Sequence, residues 1–163
     1  MVFTKKNLSI VSILILIILT ISVNTLAQRR FDDDKKGLPN TTSVEGLPKF
    51  LQLLVYSSRN IAEGDYGAAI EFLKKAEKIH PDDPMLLEYF GLAYDGDRDQ
   101  KNAFKYFLRA GYGFFKMNNI KKALRMVGWL NTIDSKSKKV IDFEKKVRAK
   151  QLELSKLEKA KKR

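Results

Sequence analysis

A self-similarity between positions 69–76 and 103–110 constrains the fold of this chain more than any other feature of its sequence. Both segments share an order of small, large apolar and small residues, each member having a counterpart 34 positions later: Ala69, Leu73 and Ala76, then Ala103, Phe107 and Ala110. This order is typical of a helix that packs closely against two others. A unit of this length is one helical hairpin, which buries its apolar face only by stacking on a neighbour. The sequence therefore predicts a stacked helical scaffold.

The scarcity of reactive side chains argues against an enzyme. The 163-residue chain contains no cysteine and one histidine, His80. Without cysteine there is no disulfide, thiolate metal site, cysteine nucleophile or lipid-anchored cysteine. One histidine leaves too little material for a histidine metal site or a catalytic triad. We predict a binding protein with no catalytic, cofactor-binding or metal-binding residue and no cofactor.

Residues 1–27 have the pattern of a targeting segment. Lys5 and Lys6 precede a run of almost only Ile, Leu and Val from residue 8 to residue 23, and small residues follow at 25–27. An apolar core of roughly 14 residues favours a cleavable signal peptide, because a membrane span needs about 20. Counted through residue 27, the segment would form a marginal membrane anchor. Both alternatives predict export to the periplasm or cell envelope, and the second tethers the chain there.

Residues 28–46 are predicted to form a flexible linker. They include three successive aspartates at 32–34 and two lysines at 35–36, and they lack periodic apolar residues. Such a polar segment cannot bury a face and is best solvated. The helical period of apolar residues begins at Leu47.

Two consecutive units carry the same pattern of apolar, small and aromatic residues. In the first unit the pattern consists of Leu53, Tyr56, Gly64, Tyr66, Ala69, Leu73, Ala76 and Pro81. In the second it consists of Leu87, Phe90, Gly91, Tyr94, Ala103, Phe107 and Ala110. On these residues, the segment 47–134 resembles the tetratricopeptide repeat family. The resemblance implies stacked pairs of antiparallel helices that bind other proteins without a chemical step.

The second unit departs from the family pattern at Phe115, which stands where a proline is expected. Nothing then stops the helix after Ala110, and a third match to the pattern begins at Phe107, before the second unit is complete. We therefore predict one long helix over 99–117, capped by Asp99, that is the second helix of one hairpin and the first of the next. A further helix is predicted over 120–130.

Residues 135–163 are predicted to form a basic closing helix. Val140, Phe143 and Val147 recur at helical spacing, so the first half should pack on the preceding helix, whereas the second half is too charged to be buried. The predicted fold is all-α: a short tetratricopeptide-like solenoid of antiparallel helical hairpins over 47–134, with a long C-terminal capping helix. Within it, Gly91 and Gly111 are predicted to let neighbouring helices approach closely.

The concave face of such a repeat domain is the predicted binding site. The family lines this face with the first helix of each hairpin, and the corresponding residues here form an apolar groove with no cationic clamp: Leu54, Ser58, Met85, Tyr89 and Leu92. We expect a segment of another protein or a peptide to dock there, with no chemical step. The alternative is internal filling of the groove by the linker or by a second copy, which would make a homo-oligomer.

The basic C-terminal segment provides the alternative function. Residues 136–163 hold twelve Lys or Arg against four acids, and the basic surface at the end comprises Lys156, Lys159, Lys161, Lys162 and Arg163. Such a surface predicts an envelope-surface binder that engages anionic lipid or cell-wall polymer. No aromatic residue interleaves with these cations, so nucleic acid is not an expected partner. The alternative interpretation is that these cations are solvated and only stabilise the partial negative charge at the C-terminus of the helix.

Overall fold

The computed structural model describes residues 44–161, which form helices and no strand. The helices are α1 (Lys49–Glu63), α2 (Tyr66–Glu77), α3 (Pro84–Gly96), α4 (Gln100–Lys116), α5 (Ile120–Asp134) and α6 (Lys138–Lys161). This arrangement confirms the predicted all-α fold of helical hairpins with a long C-terminal helix. The predicted targeting segment, most of the predicted linker, and the last two basic residues, Lys162 and Arg163, lie outside the described residues.

Within residues 44–161, the same tight turn joins two helices three times. A residue in the left-handed region precedes the cap of the next helix at 64–65, 98–99 and 118–119, with φ of 82° at Gly64, 64° at Arg98 and 58° at Asn118. The following caps have nearly identical backbone angles, with φ from −84° to −87° and ψ from 73° to 75°. These turns make hairpins of α1–α2, α3–α4 and α4–α5, so α4 belongs to two hairpins, as predicted.

Polar side chains fix where the inner helices begin. Asp65, Asp83, Asp99 and Asn119 each accept a hydrogen bond from a backbone N–H in the first turn of the following helix. The predicted cap at Asp99 is thus confirmed. Asn102 donates two hydrogen bonds to the Asp99 carboxylate, one from its backbone N–H and one from its side-chain amide. These bonds lower the pKa of Asp99. The third helix begins at Pro84, because the fixed φ and missing N–H of proline suit the first turn of a helix.

The small residues that define the repeat lie at close helix contacts. Ala69, Ala103 and Ala123 follow the three equivalent turns, and all are fully buried. A Cβ built on Gly91 would lie 2.5 Å from two ring atoms of Phe107, and one on Gly111 would lie 2.8 Å from the ring of Phe143. The predicted role of both glycines in close approach is confirmed.

The last helix closes the stack through one buried stripe. Val140, Phe143 and Val147 are fully buried. The ring of Phe143 lies 4.5 Å from that of Tyr112 and 6.4 Å from that of Phe115, so α6 contacts α4 as well as α5. After Val147 the helix is mainly exposed, as its charge predicts. None of the described helices has the length and apolar character needed to cross a membrane.

Candidate binding face of the first two hairpins

The predicted groove residues lie on α1 and α3, which pack directly on each other. On α3, Met85, Tyr89 and Leu92 are spaced by four and three residues, so they share one face, and all three are partly buried. On α1, Ser58 is partly buried and its hydroxyl donates to the carbonyl of Val55 at 3.0 Å. The structure therefore leaves four of the five predicted residues at the surface of the two helices.

Leu54 is a correction to the predicted groove. Its side chain is only 1% exposed and belongs to the core. The residue 34 positions later, Glu88, is also buried, so this position of the hairpin faces inward in both units. Leu51 is the residue that the sequence reasoning missed. It lies 34 positions before Met85 and is 39% exposed.

The surface that remains is a stripe of equivalent positions in two hairpins. Leu51 and Ser58 of α1 correspond, 34 positions later, to Met85 and Leu92 of α3, and Tyr89 completes the set. We call Leu51, Ser58, Met85, Tyr89 and Leu92 the groove stripe. The helical spacing of seven residues between Leu51 and Ser58 was the signal that could have identified Leu51. It was hidden because apolar residues at 53, 54 and 55 fill several faces of α1.

A buried ion pair borders the groove stripe. Glu88 is three residues after Met85 and four before Leu92 on α3, and its carboxylate lies 2.6 Å from Nη2 of Arg125 on α5. Glu88 is 6% exposed, so its charge needs this guanidinium nearby. The pair joins the second hairpin to α5 and leaves this border with balanced charge. Sequence reasoning gave no hint of it, because the partners lie on separate helices far apart in the chain.

Replacing Arg125 with methionine should lower the free energy of unfolding by about 1–2 kcal/mol. The change leaves the Glu88 carboxylate buried without its guanidinium, but the guanidinium is partly exposed, so the loss is smaller than for a fully buried pair. Chemical denaturation measures the effect. The double variant Glu88→Leu/Arg125→Met has at position 88 the leucine that occupies the equivalent position 54. Part of the lost stability should return in this variant, because it leaves no buried charge without a partner. If the double variant lost as much stability as the two single variants together, Glu88 and Arg125 would not be energetically coupled.

Two other features are open to solvent. A shallow pocket of about 560 Å³ lies where α4 begins and α5 meets α6, with Phe104 and Ile133 in its wall and Lys101, Lys138 and Lys139 around it. The predicted basic surface is exposed at Lys156, Lys159 and Lys161 on α6. Among residues 44–161 there is no cluster of three or more side chains suited to hold a metal ion.

The aromatic side chains between the helices stack on one another and stabilise the fold. Tyr106 stacks on Phe90 at 4.6 Å and on Tyr94 at 5.4 Å between ring centres. Burial raises the pKa of the Tyr106 hydroxyl. Phe107 and Trp129 stack at 5.5 Å with nearly parallel planes, which ties α4 to α5. These rings hold the hairpins together, and Met85 and Leu92 of the groove stripe pack against the same core.

Comparison with known proteins adds no relative to this picture. No protein-family model matches the chain, and no curated protein matches its sequence. The resemblance to tetratricopeptide repeats therefore depends on the residues of 47–134 alone.

Proposed function

We propose that the chain is a non-enzymatic scaffold of the tetratricopeptide repeat type that binds a segment of another protein along the groove stripe. The observation that carries this proposal is the row of apolar side chains left at the surface of α1 and α3, with Leu51 and Met85 at equivalent positions. Leu51 is 39% exposed, and Met85 and Leu92 are only partly covered, although all three are apolar. A repeated apolar surface on stacked helices is suited to an extended or amphipathic segment.

The chemistry of the groove stripe restricts the kind of segment that fits. Its side chains are apolar apart from the Ser58 hydroxyl and the Tyr89 phenol, and the neighbouring Glu88 is balanced by Arg125. Such a surface is suited to bind apolar side chains rather than a terminal carboxylate or a phosphate. Docking would remove Leu51 and Leu92 from water, and this burial is the main source of binding energy.

The place of action in this proposal is the cell envelope. It follows from residues 1–27, where two lysines precede an apolar run and small residues. Cleavage at residues 25–27 would release the scaffold into the periplasm, and retention would hold it at the membrane. N-terminal sequencing of the mature protein distinguishes the two, since only cleavage yields a chain that starts near residue 28.

Replacing Leu51 with glutamate should weaken partner binding by tenfold or more, because a carboxylate would be buried against apolar side chains. The partner is first isolated from the envelope fraction with the wild-type chain, and its dissociation constant is then measured for each variant. Tyr89→Ala removes the central ring of the stripe and should also weaken binding. Circular dichroism and thermal melts verify that the variants stay folded.

Ile79→Glu is the matched control for this experiment. Ile79 is 43% exposed and lies after the end of α2, outside the groove stripe, so the same change of charge should leave affinity within twofold. Equal affinity of Leu51→Glu, Tyr89→Ala and wild type would overturn the proposal. Equal losses in Leu51→Glu and Ile79→Glu would overturn it too, because the effect would then come from charge alone.

A further inference from the structure

A second stripe runs along the side of α6 that faces away from the stack. The residues at three-and-four spacing on this side are Lys138, Ile141, Lys145, Ala149, Leu152, Lys156 and Lys159. We call them the outward stripe. At 100° per residue they lie within about 55° of the direction opposite to the buried Val140, Phe143 and Val147. All seven are exposed, with Ile141 at 40% and Leu152 at 56%.

The outward stripe is mainly cationic and apolar. Of the four acids of α6, the exposed Asp142 lies about 45° from the centre of this side and Glu153 about 65° from it, whereas Glu144 and Glu158 lie on other sides of the helix. The ion pairs on α6 use cations outside the stripe: Arg148 binds Glu144 at 2.6 Å, and Lys150 binds Glu153 at 2.9 Å. The lysines of the stripe therefore present their charge outward.

We infer that the outward stripe is a contact surface for an anionic lipid bilayer. Lysines with apolar side chains between them match the headgroup region and the acyl region of one leaflet. The ammonium groups reach the lipid phosphates, while Ile141 and Leu152 enter the boundary of the acyl chains. From Lys138 to Lys159 the helix extends about 32 Å, which allows several headgroups to be contacted at once.

The apolar members of the stripe distinguish a bilayer from other anionic partners. A phosphate polymer of the cell wall or a nucleic acid would use the lysines but would leave Leu152 and Ile141 in water. An independent reason is the pattern of residues 1–27, which predicts delivery of the chain to a membrane. The groove stripe is on α1 and α3, so binding there and binding through the outward stripe can be tested separately.

A fluorescent probe on the outward stripe tests the inference directly. The natural chain has no cysteine, so Leu152→Cys carries one environment-sensitive label in the full-length protein. On addition of vesicles of phosphatidylglycerol and phosphatidylcholine, the emission should shift to the blue, and phosphatidylcholine vesicles should give a much smaller shift. Leu157→Cys is the matched control, since this leucine is 51% exposed but lies about 140° around the helix from Leu152 and should respond weakly. Equal shifts at 152 and 157, or equal shifts with both vesicles, would overturn the inference.

Charge variants measure how much the lysines contribute. Lys145→Gln/Lys156→Gln in the labelled chain should weaken the partition onto anionic vesicles by about 25-fold, because each lysine near an anionic surface contributes about fivefold. Lys78→Gln/Lys116→Gln removes the same charge at exposed positions off the stripe and should change the partition much less. High salt should weaken wild-type binding strongly. If the control pair loses as much, or if soluble polyglutamate produces the same blue shift, the stripe is not a lipid-binding surface.

Discussion

Replacing Phe143 with alanine should lower the free energy of unfolding by about 3–5 kcal/mol and release α6 from the stack. Phe143 is fully buried, and its ring contacts both Tyr112 and Phe115 of α4. Gly111 lies against the edge of the same ring and has no side chain that could move into the space that alanine would leave. The expected cost is that of a large cavity in the core.

Chemical denaturation and hydrogen exchange together measure this loss. Exchange should accelerate most in residues 138–150, because α6 meets the rest of the molecule through a single stripe. Leu152→Ala on the same helix is the control, and since Leu152 is 56% exposed it should change stability by less than about 0.5 kcal/mol. Equal losses in the two variants would show that Phe143 does not anchor α6.

The repeat pattern of the sequence predicted the fold well because one local rule is used three times. In each of three turns, a residue in the left-handed region is followed by a polar cap and, four positions after the cap, by an alanine. The caps are Asp65, Asp99 and Asn119. The interval from the second cap to the third is clearly shorter than that from the first to the second. The shorter interval, together with the missing proline at 115, was enough to predict that α4 serves two hairpins. Capping and small-residue packing are local properties, so a single sequence reveals them.

The limits of the candidate binding face were harder to predict because they depend on contacts between distant elements. The sequence places Leu51 and Leu54 on one amphipathic helix, and only the packing of α3 on α1 decides which of them is covered. The pair of Glu88 and Arg125 was equally hidden, since a glutamate in a helix is usually exposed. The correspondence of Leu54 with Glu88 in the repeat becomes informative once one of the two is known to be buried.

Replacing Gly91 with leucine should lower the free energy of unfolding by about 2–3 kcal/mol. A Cβ at this position would already lie 2.5 Å from Cδ1 and Cε1 of Phe107 and 2.9 Å from Cγ, so the whole ring would have to move. Phe107 is fully buried and stacks on Trp129, which prevents this movement. The added volume would therefore separate α3 from α4 and disturb the contact of α4 with α5.

Gly128→Leu distinguishes this packing effect from the general effect of removing a helical glycine. Gly128 lies in α5, is exposed, and has no atom within 4 Å of a built Cβ. Leucine favours the helix over glycine, so this variant should be more stable by up to about 0.8 kcal/mol. The two variants should therefore shift the midpoint of chemical denaturation in opposite directions. If Gly91→Leu were as stable as Gly128→Leu, α3 and α4 could not be in the close contact that the repeat requires.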